Sequence, residues 1–153
     1  IGVYAGRVQS RQGQSVVLER IWRDKIRTET LPSCDAIVQK GLREPGQIVF
    51  YQDQGFWNQG LLLALEERHA WVLESFGGAV LRVGEVEIQP WNPAFSLHPG
   101  QELEACRGSS SNLVKAVITE IHPSGLLGTI RLSNGSSRER VPVWEMLPAG
   151  TVL

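Results

Sequence analysis

Two cysteines, one methionine and two tyrosines are spread over 153 residues, with no long apolar run and no excess of either charge. Each scarcity removes a class of protein. Cys34 and Cys106 cannot build a disulfide framework and have no Cys or His partner at zinc-site spacing, so no metal and no cofactor is expected. Such sparing use of cysteine points to a reducing compartment, nuclear or cytoplasmic. No apolar stretch approaches the roughly 20 residues of a membrane span, and no secretory signal is read in the residues present. Sixteen acids against fifteen bases give a net charge of −1, a poor basis for non-specific phosphate binding. His69, His98 and His122 fall at or near turns, with no Ser or Cys nucleophile in a motif of known mechanics, so an enzyme is not expected.

What the chain has instead is a repeated phrase. Pro45-Gly46-Gln47 opens one copy, Pro99-Gly100-Gln101 a second, and Pro148-Ala149-Gly150 another. The period is about 50 residues, the size of one small β-barrel. Val49, Leu103 and Val152 align in a first strand. In a second strand Gly6, Gly60 and Ala116 share a small-residue column, and Val8, Leu62 and Ile118 share an apolar column two residues on, the period of a half-buried strand. Asp24-Lys25, Phe76-Gly77 and Asn134-Gly135 align at a later turn, where Asn-Gly predicts a two-residue type I′ hairpin. Closing strands with Leu31-Pro32, Val83-Gly84 and Val141-Pro142 each run into an acid: Asp35, Glu87 or Glu145. An acid that recurs once per copy predicts a structural role, accepting backbone N–H bonds at a turn.

Secondary structure follows the columns. Runs at 15–22, 70–74 and 128–132 read as strands. The stretch 61–68 (LLLALEER) has good helix propensity, but its repeat equivalent 117–121 (VITEI) is strand-like, and the repeat decides for strand. A helix of one or two turns fits around 35–41, and Pro90, Pro93 and Pro99 mark a linker or packed crossover. Cys34 shares a column with Val86 and Trp144 and is expected to be a small core residue; Trp91 and Trp144 are expected in the core as well. A copy of about 50 residues has a thin core, so neighbouring copies are expected to pack on one another, with the five tryptophans supplying area.

The residues that carry a family resemblance are Gly2-Val3-Tyr4-Ala5-Gly6-Arg7-Val8, Gln54-Gly55-Phe56-Trp57-Asn58-Gln59-Gly60-Leu61-Leu62 and Val114-Lys115-Ala116-Val117-Ile118, with turns at Ser75-Phe76-Gly77-Gly78 and Ser133-Asn134-Gly135. The pattern resembles tandem Tudor-like and agenet-like modules. The resemblance implies an all-β chain of about three small SH3-like five-stranded barrels, at 1–43, 44–95 and 96–147, with 148–153 as a further first strand. It also implies a non-catalytic chromatin-type reader of methylated lysine or arginine on a histone or other protein tail. A methylated cation keeps its charge and is drawn to ring faces within about 6 Å, so such a site needs converging aromatics and a nearby carboxylate.

The second copy carries the implied cage: Phe76, Trp57, Phe56 and Tyr51, with Glu74 or Asp53 for charge. Asn58 and Leu73 stand where the family often has further aromatics, and Tyr51 shares its column with Ala105, which predicts a core-facing direction. Tyr4 and Trp22 are the candidates in the first copy, while Val114 and Asn134 leave the third copy without a cage. Two other readings stand beside the reader: a protein–protein scaffold using the apolar surface around Trp22, Trp71 and Trp91, and nucleic-acid binding through Arg20, Arg23, Lys25 and Arg27 with Trp22 interleaved. The same arginines also suit a solvated strand face.

The first copy, 1–43, lacks the first strand that the others have, and the tail 148–153 is a first strand with no copy after it. An open strand edge is normally covered. The tail is therefore expected to pair with 3–8, within one molecule or by exchange in a domain-swapped dimer. Deleting Thr151, Val152 and Leu153 should lower the melting temperature clearly, and an unchanged thermal scan would refute the pairing.

Overall fold

The structure is a computed structural model that describes residues 5–22, 25–36, 43–75, 77–108 and 112–150. Tyr4, Arg23, Phe76 and the tail 151–153 lie outside the described residues, as does the expected pairing of that tail with the chain's start. The described residues form strands, turns and three 3-10 turns, with no α-helix among them. Contacts divide the chain into two compact units, Ile1–Lys40 and Gly41–Leu153.

The first unit is an antiparallel meander of β1 (Gly6–Gln12), β2 (Ser15–Trp22) and β3 (Lys25–Pro32), followed by a 3-10 turn at Ser33–Asp35. Val16 and Leu18, two residues apart on β2, are its buried side chains, as a half-buried strand requires. Of the helix expected around 35–41, only Asp35 falls in that 3-10 turn and Ala36 is extended, while 37–42 lie outside the described residues.

The second unit contains β4 (Ile48–Asp53), β5 (Phe56–Glu66), β6 (His69–Glu74), β7 (Val80–Gly84), β8 (Ile88–Pro90), β9 (Glu102–Arg107), β10 (Leu113–Ile121), β11 (Leu127–Leu132), β12 (Ser137–Pro142) and β13 (Met146–Pro148). One group pairs in the order β8-β4-β5-β6-β7 and the other in the order β13-β9-β10-β11-β12. The contact Leu113↔Trp57 between β10 and β5 joins them into a ten-stranded antiparallel sheet. The expected five-stranded barrels are not closed: among the described residues β7 pairs only β6, and β8 only β4.

Backbone bonds recur at the aligned positions. Gly46 N–H donates to Leu62 O and Leu62 N–H to Gln47 O; Gly100 N–H donates to Ile118 O and Ile118 N–H to Gln101 O. Ser33, Glu85 and Val143 each begin a 3-10 turn and donate N–H to Gln14, Arg68 and Leu126 in the same chain order. The repeated glutamine also has a task, since Gln47 Oε1 accepts from Arg43 N–H and Gln101 Oε1 from His98 N–H. Gly46, Gly100 and Gly150 have φ of 91°, 87° and 84°, which L side chains resist. Their shared conformation registers Gly150 with Gly46, one residue later than an alignment on the prolines.

The second strand explains the small-residue column. A Cβ on Gly60 would lie 2.5 Å from Val72 Cγ1 and 2.6 Å from Leu73 O; on Gly6 it would lie 2.8 Å from Glu19 O. Two residues on, the ladder slips by one in every copy, after Val8, Leu62 and Ile118. Such a bulge bends a strand and sharpens its twist. Leu62 and Ile118 are fully buried, in the clusters around Val49, Tyr51 and Val72 and around Leu103, Cys106 and Ile130. Val8 is 41% exposed, because the three described strands of its unit include no counterpart of β4 or β9 to cover it. The run 61–68 is strand as far as Glu66: pairing with β6 along its length, and with β4 at Leu61, outweighs its helix propensity.

Two expectations are corrected. Cys34 is exposed in the middle of its 3-10 turn, as is its counterpart Val86, whereas Trp144 in the same column is large enough to pack on the third copy's core. Asn134-Gly135 is not a type I′ turn, since only Gly135 has positive φ. Gly135 N–H bonds Leu132 O, and Asn134 Oδ1 accepts from Ser136 N–H, which makes a longer hairpin with its left-handed residue last.

Gly60→Ala is expected to lower stability by about 1–3 kcal/mol, because the methyl group meets backbone that cannot yield. Urea unfolding measures this; Ala116→Gly, where the Cβ is already accommodated, should cost less.

Candidate functional site

The four aromatics of the second copy do not converge. Tyr51 alternates inward with Val49 on β4 and is 1% exposed, packed with Leu62, Val72 and Ile88, so it presents no ring face to a ligand. Trp57 faces the other side of the sheet and is 9% exposed, in a cluster with Phe50, Ala105, Leu113 and Leu147. Phe56, adjacent on β5 and so pointing oppositely, is 57% exposed. Phe76 lies outside the described residues. Asn58, in the column of a cage aromatic, donates Nδ2–H to Phe56 O.

The carboxylates lie near Tyr51. Burial pushes its phenol up to about 12, and the charges of Glu74 and Asp53 add to the shift. The unfolded phenol ionises near pH 10. The folded state therefore holds this proton more tightly, and its contribution is complete below pH 10 and lost as pH rises toward 12.

Trp57 also edges a cavity of about 480 Å³ lined by Arg43, Glu85, Val86, Glu87, Ile88 and Gln89. Arg43 Nη1 lies 3.6 Å from Glu85 Oε1, and Glu87 Oε2 accepts from Gly84 N–H, so both acids of this wall are engaged. One indole wall can flank a cation but cannot surround it. No group of three His, Cys, Asp or Glu residues that could hold a metal occurs among the described residues.

The recurrent acids divide in role. Glu87 accepts a turn N–H as expected, but Asp35 accepts from Cys34 Sγ at 3.7 Å, and Glu145 pairs with Arg107 Nε at 3.2 Å. Burial raises the Glu145 carboxyl and lowers the buried Arg107 guanidinium, while Arg107 and Arg138 pull Glu145 back. Arg138 donates to the carbonyls of Arg107 and Gly108, tying β12 to the end of β9. This buried pair has no local sequence signal, because its members stand 38 residues apart.

In the first unit Trp22 is 42% exposed, with the Arg20 guanidinium 4.9 Å from its ring centroid. Arg20 Nε pairs with Glu29 Oε2 at 2.6 Å. Lys25 and Arg27 are exposed on β3, directly opposite Trp22 and Arg20. Arg23 and Tyr4 lie outside the described residues.

Sequence columns missed the groups that fasten the second copy to the third. Gln59 is buried and donates Nε2–H to Trp144 O at 2.5 Å, and Trp91 donates Nε1–H to Val143 O at 3.1 Å. Trp91 and Trp144 are partly buried and pack on the third copy's core, and Trp91 reaches the cluster around Trp57 as well.

Alkaline titration followed by tyrosine absorbance should show one phenol ionising near pH 12, and Tyr51→Phe should remove that step. Folding free energy should fall between pH 9 and 12, since burial also pushes the Cys106 thiol up to about 12. A Tyr51 phenol that ionises near 10 in the folded protein would contradict its burial. No protein-family model matches the chain, and no curated protein matches it in sequence.

Proposed function

We propose that the chain is a non-catalytic array of Tudor-like, SH3-like modules, bounded at 1–43, 44–95 and 96–147, that serves as a protein-docking scaffold. The strand order β8-β4-β5-β6-β7, its recurrence in β13-β9-β10-β11-β12, and a 3-10 turn before each last strand support the SH3-like assignment. The observation that carries the scaffold reading over methyl recognition is the burial of Trp57 between the second and third copies. A ring committed to Phe50, Leu113 and Leu147 holds two modules together and is not available to enclose a methylammonium group.

A rigid pair of modules offers a fixed surface, which lowers the ordering cost of binding. The face of β5–β7 opposite the core continues the face that holds Phe50 and Trp57. Cross-strand partners Ile48, Leu61, Leu73 and Val80 form one row, and Trp71 stands in the next. Val80 is exposed and the other four are partly exposed, so the strip is apolar yet open to solvent.

Trp57→Ala discriminates the readings through stability. Loss of a packed core ring should cost about 3–5 kcal/mol, whereas loss of a cage wall would leave stability nearly unchanged. Titration of the full chain with trimethyl-lysine and dimethyl-arginine peptides should give the same NMR response as the unmodified peptides. A methylation-dependent shift of the Trp57 indole signal, together with a stable Trp57→Ala variant, would overturn the scaffold reading.

A further inference from the structure

We propose that the β2–β3 hairpin of the first unit binds single-stranded nucleic acid, with Trp22 as the stacking platform and Lys25 and Arg27 as phosphate contacts. This goes beyond the scaffold reading and does not depend on it.

Register assembles the site. Trp22 pairs directly with Lys25 and Arg20 with Arg27, and alternate residues of a strand share a face. Arg20, Trp22, Lys25 and Arg27 therefore stand on one side of the hairpin. The same side holds Val16 and Leu18 further along β2, so the face changes from buried apolar to exposed and cationic within two rows.

The arrangement is costly without an anion. Like charges directly opposite on a sheet repel, and Arg20 faces Arg27 with Lys25 one row away. Glu29 engages Arg20, whereas no ion pair engages Lys25 or Arg27 among the described residues. A phosphate backbone lying along β3 relieves this repulsion. Lys25 and Arg27 are two residues apart, about 6.8 Å along the strand, which suits successive phosphates of an extended single strand.

Charge is also partitioned along the chain. Within Ile1–Lys40 seven bases face four acids, a net of +3, while the remaining eight bases and twelve acids give −4. The near-neutral total hides a cationic unit. The exposed indole, with Arg20 against its ring, decides between polyanions: an acidic peptide needs only the cations, whereas a base also stacks.

The test uses the full chain with labelled oligo(dT) and oligo(rU), followed by anisotropy and tryptophan quenching over a salt series. The two oligomers report whether the 2′-hydroxyl matters. Trp22→Leu should weaken binding about tenfold or more, and Trp22→Phe should restore most of it. The double change Lys25→Gln, Arg27→Gln should make the log–log salt slope shallower by about 1.4, at about 0.7 per phosphate contact on a single strand. The double change Lys115→Gln, Arg131→Gln, an equal charge change at exposed positions of the other unit, should alter nothing. No binding at low salt, an unchanged Trp22→Leu affinity, an unchanged salt slope in the double variant, or polyglutamate binding as tightly as the oligonucleotides would each overturn the proposal. The exposed Lys25 and Arg27 changes keep the slope readable even if Trp22→Leu unfolds.

Discussion

The structure depends on a second strand that must pair on both edges and still bend over its own core. In the second copy β5 hydrogen-bonds β4 on one side and β6 on the other, and its bend brings Gly60 within contact of the Leu73 carbonyl. A side chain there would push the strands apart, while a bulge two residues later supplies the twist that flat pairing cannot. The same pair of devices recurs at Gly6 and Val8, and the bulge alone recurs at Ile118, where Ala116 shows that a methyl group is accommodated two residues earlier. The buried apolar column of the second and third copies follows from that bend, because a curved strand turns Leu62 and Ile118 into a core covered by the first strand.

Small β-modules bury too little area to stand on one face alone. The second and third copies answer this with a core built from the outer side of the sheet, where Phe50 and Trp57 meet Ala105, Leu113 and Leu147. Polar groups complete the joint, with Gln59 and Trp91 satisfying carbonyls at Trp144 and Val143 that burial would otherwise leave without partners. The consequence reaches function. An indole placed where the resemblance implies a ligand wall is instead a structural ring, while the first unit keeps Trp22 exposed with Lys25 and Arg27 exposed opposite.

Legibility followed locality. Strands such as 15–22 and 70–74 were readable because buried residues alternate along them, and the repeat rescued 61–66 from its own helix propensity. The opening glycines and glutamines were readable as a signature, although the reason for the glutamine, a side-chain bond back to the turn, was not. Cys34 and Asn134 misled, because a column match transfers a position without the direction its side chain takes in a 3-10 turn or a longer hairpin. Tyr51 is core-facing as expected, but its column partner Ala105 is buried in the cluster around Trp57 instead, so that column carried burial and not direction.

By itself the sequence determined an all-β chain, its period and its turn glycines, since these rest on alternation and on backbone conformations that few residues tolerate. Tertiary structure alone decided whether the sheets close, which copies fuse, and which aromatics are spent on packing. Those outcomes depend on contacts such as Leu113 with Trp57 and Arg107 with Glu145, made between segments far apart in the chain. Nothing in the local pattern of either segment states that the other will be there.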